Sequence, residues 1–147
     1  MRKRRKSRVL ALWMLYSMEV GRDAGLGDAR NVFTMCAHRC DAATEAFALE
    51  LARGVLAHRD ELDRIIRTHA QNWALDRMAL VDRQIMRIAL YELLHEPCTP
   101  AAVCINEAID IAKMFSTSES GHFINGVLDA ARRALRPHKA RRAVHPS

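Results

Sequence analysis

Residues 81–94 read VDRQIMRIALYELL. Within them Ile85, Ile88, Ala89 and Leu93 recur at i, i+3, i+4 and i+8. That spacing lines one face of an α-helix and does not match the alternation of a strand. Working outward, the same period returns almost everywhere. Upstream, Val9, Leu12, Trp13, Tyr16 and Val20 share a face, and Gly21 ends that helix. Gly25 and Gly27 mark a loop, after which Asp28 is placed to cap a short second helix reaching about residue 39. Residues 41–44 read as the next break. Phe47, Leu51, Val55, His58, Leu62, Ile65, Ile66 and His69 then predict one face held over more than six turns. Gly54 inside it costs ~1 kcal/mol relative to Ala, which close packing against a neighbour would offset.

Downstream, Asn72-Trp73 begins a shorter element, and Pro97 and Pro100 bracket a tight loop. Thr99-Pro100 reads as an N-cap followed by the first helical residue. Ile105, Ala108, Ile109, Ala112 and Phe115 line the next helix, and Ser116-Thr117-Ser118-Glu119 fits a capping box with Ser116 as the cap. Ile124, Val127, Leu128, Ala131 and Leu135 line a last helix expected to end before Pro137. The fold class is therefore all-α: a single-domain bundle of about six or seven helices over residues 1–136, with residues 137–147 as a basic, disordered tail.

A chain of 147 residues, half of them apolar, can build its own core. Its net charge of +6 is unevenly placed. Residues 1–8 hold six basic side chains and residues 132–147 six more, with no acid in either stretch, leaving residues 9–131 with 11 basic and 17 acidic groups. An acidic body with two basic ends points to a polyanion contacted through the ends, or to tails that only aid solubility. The apolar residues 9–16 are too short to span a bilayer. They also lack the small-x-small site of a secretory signal, since Ser17-Met18-Glu19 follows them. With four cysteines and no disulfide framework, a cytoplasmic location is expected.

Cys36, His38 and Cys40 lie close together, but no paired C-x-x-C occurs and His38 points off the face shared by the two thiols, so no metal site is expected there. No nucleophile signature, P-loop or dinucleotide fingerprint is found, so no enzymatic activity and no cofactor is expected. The basic N-terminus is more informative because it runs into a helix. Arg4 and Arg8 are four apart with Arg5 alongside, and Tyr16 follows two turns later. Arginine-rich helices bind RNA through phosphates and guanidinium stacking, and an exposed aromatic stacks on an unpaired base. His122-Phe123 opens the last helix, where free N–H groups favour phosphate and Phe123 falls at the margin of the inward stripe. The plainer alternative makes Tyr16 and Phe123 core aromatics.

Taken in order, residues 81–94, the proline loop, INEAIDIAKMF (105–115) and FINGVLD (123–129) resemble the NusB family of bacterial transcription antitermination factors. Leu15-Tyr16-Ser17, Gly54-Val55 and the segment from Trp73 to Arg77 match as well, so the resemblance spans residues 4–136. It implies an all-α fold of two helical halves that is not an enzyme. It also implies binding of boxA RNA as a heterodimer with NusE, a small-subunit ribosomal protein. The complex would join RNA polymerase and other Nus factors and suppress termination in ribosomal RNA operons. By matching position, Arg4, Arg5, Arg8 and Tyr16 would meet RNA from the first helix, and Glu119, His122 and Phe123 from the last. Asp82 matches an acidic position on the NusE-facing side. Trp13 stands where the family often has Gln, Glu119 where it often has Asp, and His122 where it often has Lys. The resemblance leaves open whether the free protein is a monomer or a homodimer that hides its RNA face. Two other readings are an RNA-targeting domain serving a ribosomal RNA methylase, for which this chain leaves no room, and a protein-interaction module with no RNA role.

Overall fold

The computed structural model describes the backbone of residues 2–21, 40–71 and 73–144, with side chains as far as Leu135. Six α-helices and one short 3-10 turn, with no strand, make up these residues: α1 (Lys3–Val20), α2 (Ala42–Ala57), α3 (Arg59–His69), the turn Leu75–Arg77, α4 (Leu80–His95), α5 (Ala101–Phe115) and α6 (Ser118–Val144). The short helix expected at 28–39, with Cys36 and His38, lies outside the described residues. None of the helices is long and apolar enough, among the described residues, to cross a membrane.

Helix α4, the stretch that signalled the fold, is the hub. It packs against α1, α2, α3, α5 and α6, while α1 lies on α2 and α5 on α6 as the two halves of the bundle. A single inward stripe does not describe it. Besides Ile85, Ile88, Ala89 and Leu93, α4 buries Met86 and Leu90 and the polar Asp82, Gln84, Arg87 and Glu92. A buried charge is tolerable only with a partner, and each of the three charged groups has one. Arg87 donates to both oxygens of Asp63 at 2.7 and 3.1 Å. Arg8 donates to both oxygens of Glu92 at 2.6 and 2.8 Å. Asp82 accepts from Ser116 Oγ and Ser120 Oγ, each at 2.7 Å.

Several local expectations shift. The face running from Phe47 to His69 is not one helix: His58 leaves helical geometry at φ −113°, ψ 18° and separates α2 from α3. One such residue interrupts a helix without disturbing its period, because His58 N–H still reaches the Gly54 carbonyl and Leu62 N–H the His58 carbonyl. Helix α2 also begins earlier than expected, at Ala42, because Asp41 caps it by accepting from Thr44 N–H at 2.8 Å. Pro100, not Thr99, is the N-cap of α5; its ring-fixed φ of −60° with an extended ψ of 145° suits that place, and no side chain caps the helix. At α6 the cap is Thr117, whose Oγ1 accepts from Ser120 N–H at 3.0 Å, since Ser116 is drawn to Asp82 instead. Helix α6 continues past Pro137 to Val144, where a tail without helix was expected. A proline removes one helical hydrogen bond, and the Lys, Ala and Arg residues that follow are good helix formers.

Gly54 does have the neighbour its sequence position called for. A Cβ there would stand 2.1 to 2.6 Å from three atoms of the Tyr91 ring. Gly54→Ala should gain helix propensity yet lose about 1–3 kcal/mol to overpacking, for a lower melting temperature. In a Tyr91→Ala background the same change should be neutral or stabilising, so a double-mutant melting series tests the contact.

Candidate nucleic-acid interface

Helices α1 and α5 run side by side in the same direction, Arg5 lying against Glu107 and Trp13 against Phe115. The seam is charged at one end and aromatic at the other. At the charged end Arg5 donates to Glu107 at 2.8 Å and to Asp110 at 2.7 Å. Its guanidinium is held above its usual range, chiefly by the hydrogen bond to Glu107. Arg8, only 5% exposed, sits deeper. Burial works against its charge, but Glu92 and then Glu107, at 3.8 Å, outweigh it and hold the guanidinium above its ordinary value. Lys3 pairs with Asp41 at 2.7 Å in solvent. Arg4 is exposed, its guanidinium 3.7 Å over the Phe47 ring.

The basic segment thus divides. Arg2 and Arg4 face solvent, Arg5 is half-buried against two acids, and Arg8 is inside the fold. The sequence presented Arg4, Arg5 and Arg8 as equivalent; Arg8 is instead a buried ion pair whose partner lies 84 residues away.

At the aromatic end Tyr16 is half-exposed and meets Trp13 edge-on at 5.5 Å, and Trp13 meets Phe115 edge-on at 5.1 Å. Phe115 closes α5, and the next residues enter α6. Asp82 holds that entry from α4 by accepting from Ser116 and Ser120 on either side of the cap. Glu119 and His122 in the first turns of α6 are exposed; Phe123 is half-buried at the edge of the core. Its ring meets Trp73 at 6.0 Å and 61°, and Trp73 is 56% exposed. The fold therefore joins Tyr16 to the α6 entry through Trp13 and Phe115, and adds Trp73 beyond Phe123. Trp13, Phe115 and Trp73 were not singled out as site residues. In the sequence Trp73 stands out as a large aromatic outside any helical stripe, at the start of the segment that resembles the family.

Asp82 is not a free surface group. It is 6% exposed and satisfied by two hydroxyls. The resemblance puts Asp82 on the side that faces NusE; buried as it is, a role toward a partner would act through the loop it holds.

The NusB family model matches residues 5–133. This chain belongs to the NusB family. The transcription antitermination protein NusB of Geobacter sulfurreducens is 46% identical over 129 residues, covering 86% of this chain and 91% of that protein. That of Desulfatibacillum aliphaticivorans is 47% identical over 131 residues, covering 88% and 90%. Among solved structures, T. maritima NusB superposes with a TM-score of 0.81 at 34% identity, covering 88% of this chain and 90% of that one. The crystal structure of the antitermination factors NusB and NusE in complex with double-stranded RNA superposes at 0.80 with 25% identity, covering 91% and 98%. Transcription antitermination, the activity named for these relatives, is not an enzymatic one.

Proposed function

We propose that this NusB-family chain binds boxA-type single-stranded RNA as a heterodimer with the ribosomal protein NusE. It would then act with RNA polymerase and other Nus factors in the cytoplasm to suppress termination in ribosomal RNA operons. The observation that carries the reading is its likeness to a NusB solved together with NusE and RNA. On this reading Arg4, Tyr16, His122 and Phe123 meet the RNA directly, from α1 and from the start of α6. Arg5 meets phosphate with the part of its guanidinium not engaged by Glu107 and Asp110, and Glu119 sits beside the phosphate path. Arg8 positions α1 through Glu92, and Asp82 positions the α5–α6 loop for the NusE side. His122 in place of the family's frequent Lys removes a fixed positive charge from the start of α6.

Mobility-shift titrations with a boxA-like strand, with and without the ribosomal partner, test this. Binding should be weak alone and tighter with NusE. It should weaken with salt at a logarithmic slope of about −0.7 per phosphate neutralised. The neighbouring complex holds a duplex, so a duplex of the same sequence belongs in the titration; equal affinity for it would replace strand recognition with shape recognition. An affinity that ignores salt, or none with NusE present, would remove the RNA role.

Phe123→Ala discriminates stacking from packing. A fully buried Phe cut to Ala costs ~3–5 kcal/mol. Half-buried beside Trp73, this one should cost about 1–2 kcal/mol of stability and a further ~1–3 kcal/mol of RNA binding. Thermal melts and RNA titrations on the same variant separate the two losses; unchanged RNA affinity in the folded fraction makes Phe123 a packing residue only.

A further inference from the structure

Away from the RNA-facing elements, the break between α2 and α3 meets the C-terminal end of α4. His58 occupies the break itself, with its Nδ1 3.5 Å from a carboxylate oxygen of Glu61 one turn on. His95, the last residue of α4, stacks its ring on that of His58 at 4.1 Å and on Tyr91 at 5.1 Å. One nitrogen from each imidazole and one Glu61 oxygen all lie within 4.8 Å of one another. Three donors around a tetrahedral ion with bonds of ~2.1 Å stand about 3.4 Å apart, so small side-chain rotations close the set. Those rotations are available, because Glu61 and His95 are exposed and His58 is partly so.

We propose that His58, Glu61 and His95 bind a borderline divalent transition-metal ion of the zinc class, with water completing its coordination. Two imidazoles and one carboxylate are the donors such ions prefer over magnesium or calcium. The surroundings favour a cation. The C-terminal end of α4 adds its partial negative charge. On binding, the imidazoles swing from stacked to splayed and the ion ties the α2–α3 break to α4. The site lies thirteen residues along α4 from Asp82, roughly 20 Å from the α6 entry, so it braces the bundle at the end remote from Glu119, His122 and Phe123.

The test is titration of the tag-free full chain with Zn2+, read by calorimetry and thermal shift, and with Co2+, read by its visible spectrum. One equivalent should bind, raise the melting temperature, and give a Co2+ spectrum of nitrogen and oxygen ligands without thiolate charge transfer. His95→Gln and His58→Gln should each weaken binding by about ten-fold or more, Glu61→Gln by less, while Cys36→Ser/Cys40→Ser leaves it unchanged. His95→Gln alters an exposed side chain, so its circular dichroism should match that of the parent. Absence of saturable binding by the parent chain, binding unchanged in both histidine variants, or a thiolate band lost in the cysteine variant would each overturn the site.

Discussion

Arg8→Ala should lower the folding free energy by about 3–5 kcal/mol, the scale set by removing one partner of a buried ion pair. Most of that cost comes from the carboxylate left behind. Glu92 is 1% exposed and takes two hydrogen bonds from the Arg8 guanidinium. Without them its charge remains in the centre of the bundle, with neither water nor a donor in the place of Arg8. Against a typical stability of ~5–15 kcal/mol, such a loss shows plainly in urea denaturation. Arg8→Leu/Glu92→Leu should recover most of it, because a buried pair exchanged for apolar side chains of similar size is often neutral. That double variant also isolates the role of Arg8. If Arg8 acts by holding α1, the variant should bind RNA within about three-fold of the parent. A ten-fold loss in a fully folded variant would return Arg8 to the RNA surface.

Asp82→Lys should be nearly as damaging to the fold, at about 3 kcal/mol or more. As a simple charge reversal in the first turn of α4 it would cost only ~0.3–1 kcal/mol through the helix dipole. Asp82 is buried, however, and receives the hydroxyls of Ser116 and Ser120. Hydrogen bonds to a charged group contribute ~1.5–3 kcal/mol each, and a lysine ammonium cannot accept either one. The change also buries a cation at a helix N-terminus, where the dipole opposes it. Loss of the clamp should loosen the entry to α6, so binding of both NusE and RNA should fall. Asp82→Asn keeps an acceptor and should retain most stability and the partner. Melting curves with NusE pull-down distinguish the cases; an Asp82→Lys protein that melts like the parent yet loses NusE would make Asp82 a direct contact.

Most helices were legible because an amphipathic period survives in single residues: Ile85, Ile88 and Ala89 in α4, Ile124, Val127 and Leu128 in α6. What escaped depends on pairs far apart in the chain. Nothing local marks Arg8 as the partner of Glu92, or Asp63 as that of Arg87. Each reads as a solvated charge until the bundle closes around α4. The Ser116-to-Glu119 motif was legible as a helix start, but its roles were redistributed once Asp82 drew Ser116 away and left Thr117 as the cap. The break at His58 left the hydrophobic period intact and so carried no signal. At the candidate interface, the sequence supplied the residue types, whereas the path from Tyr16 through Trp13 to Phe115 requires α1 and α5 to lie side by side.

A 1H–15N titration of the labelled protein, in complex with NusE, with a boxA-like strand tests most directly whether α1 and the start of α6 form the RNA face. Amides of residues 4–16 and 117–123, with the indole of Trp73, should shift together and saturate at one equivalent, while those around His58 and His95 stay in place. Shifts confined to α2 and α3, or to residues 137–147, with the start of α6 unmoved, would contradict this placement of the RNA.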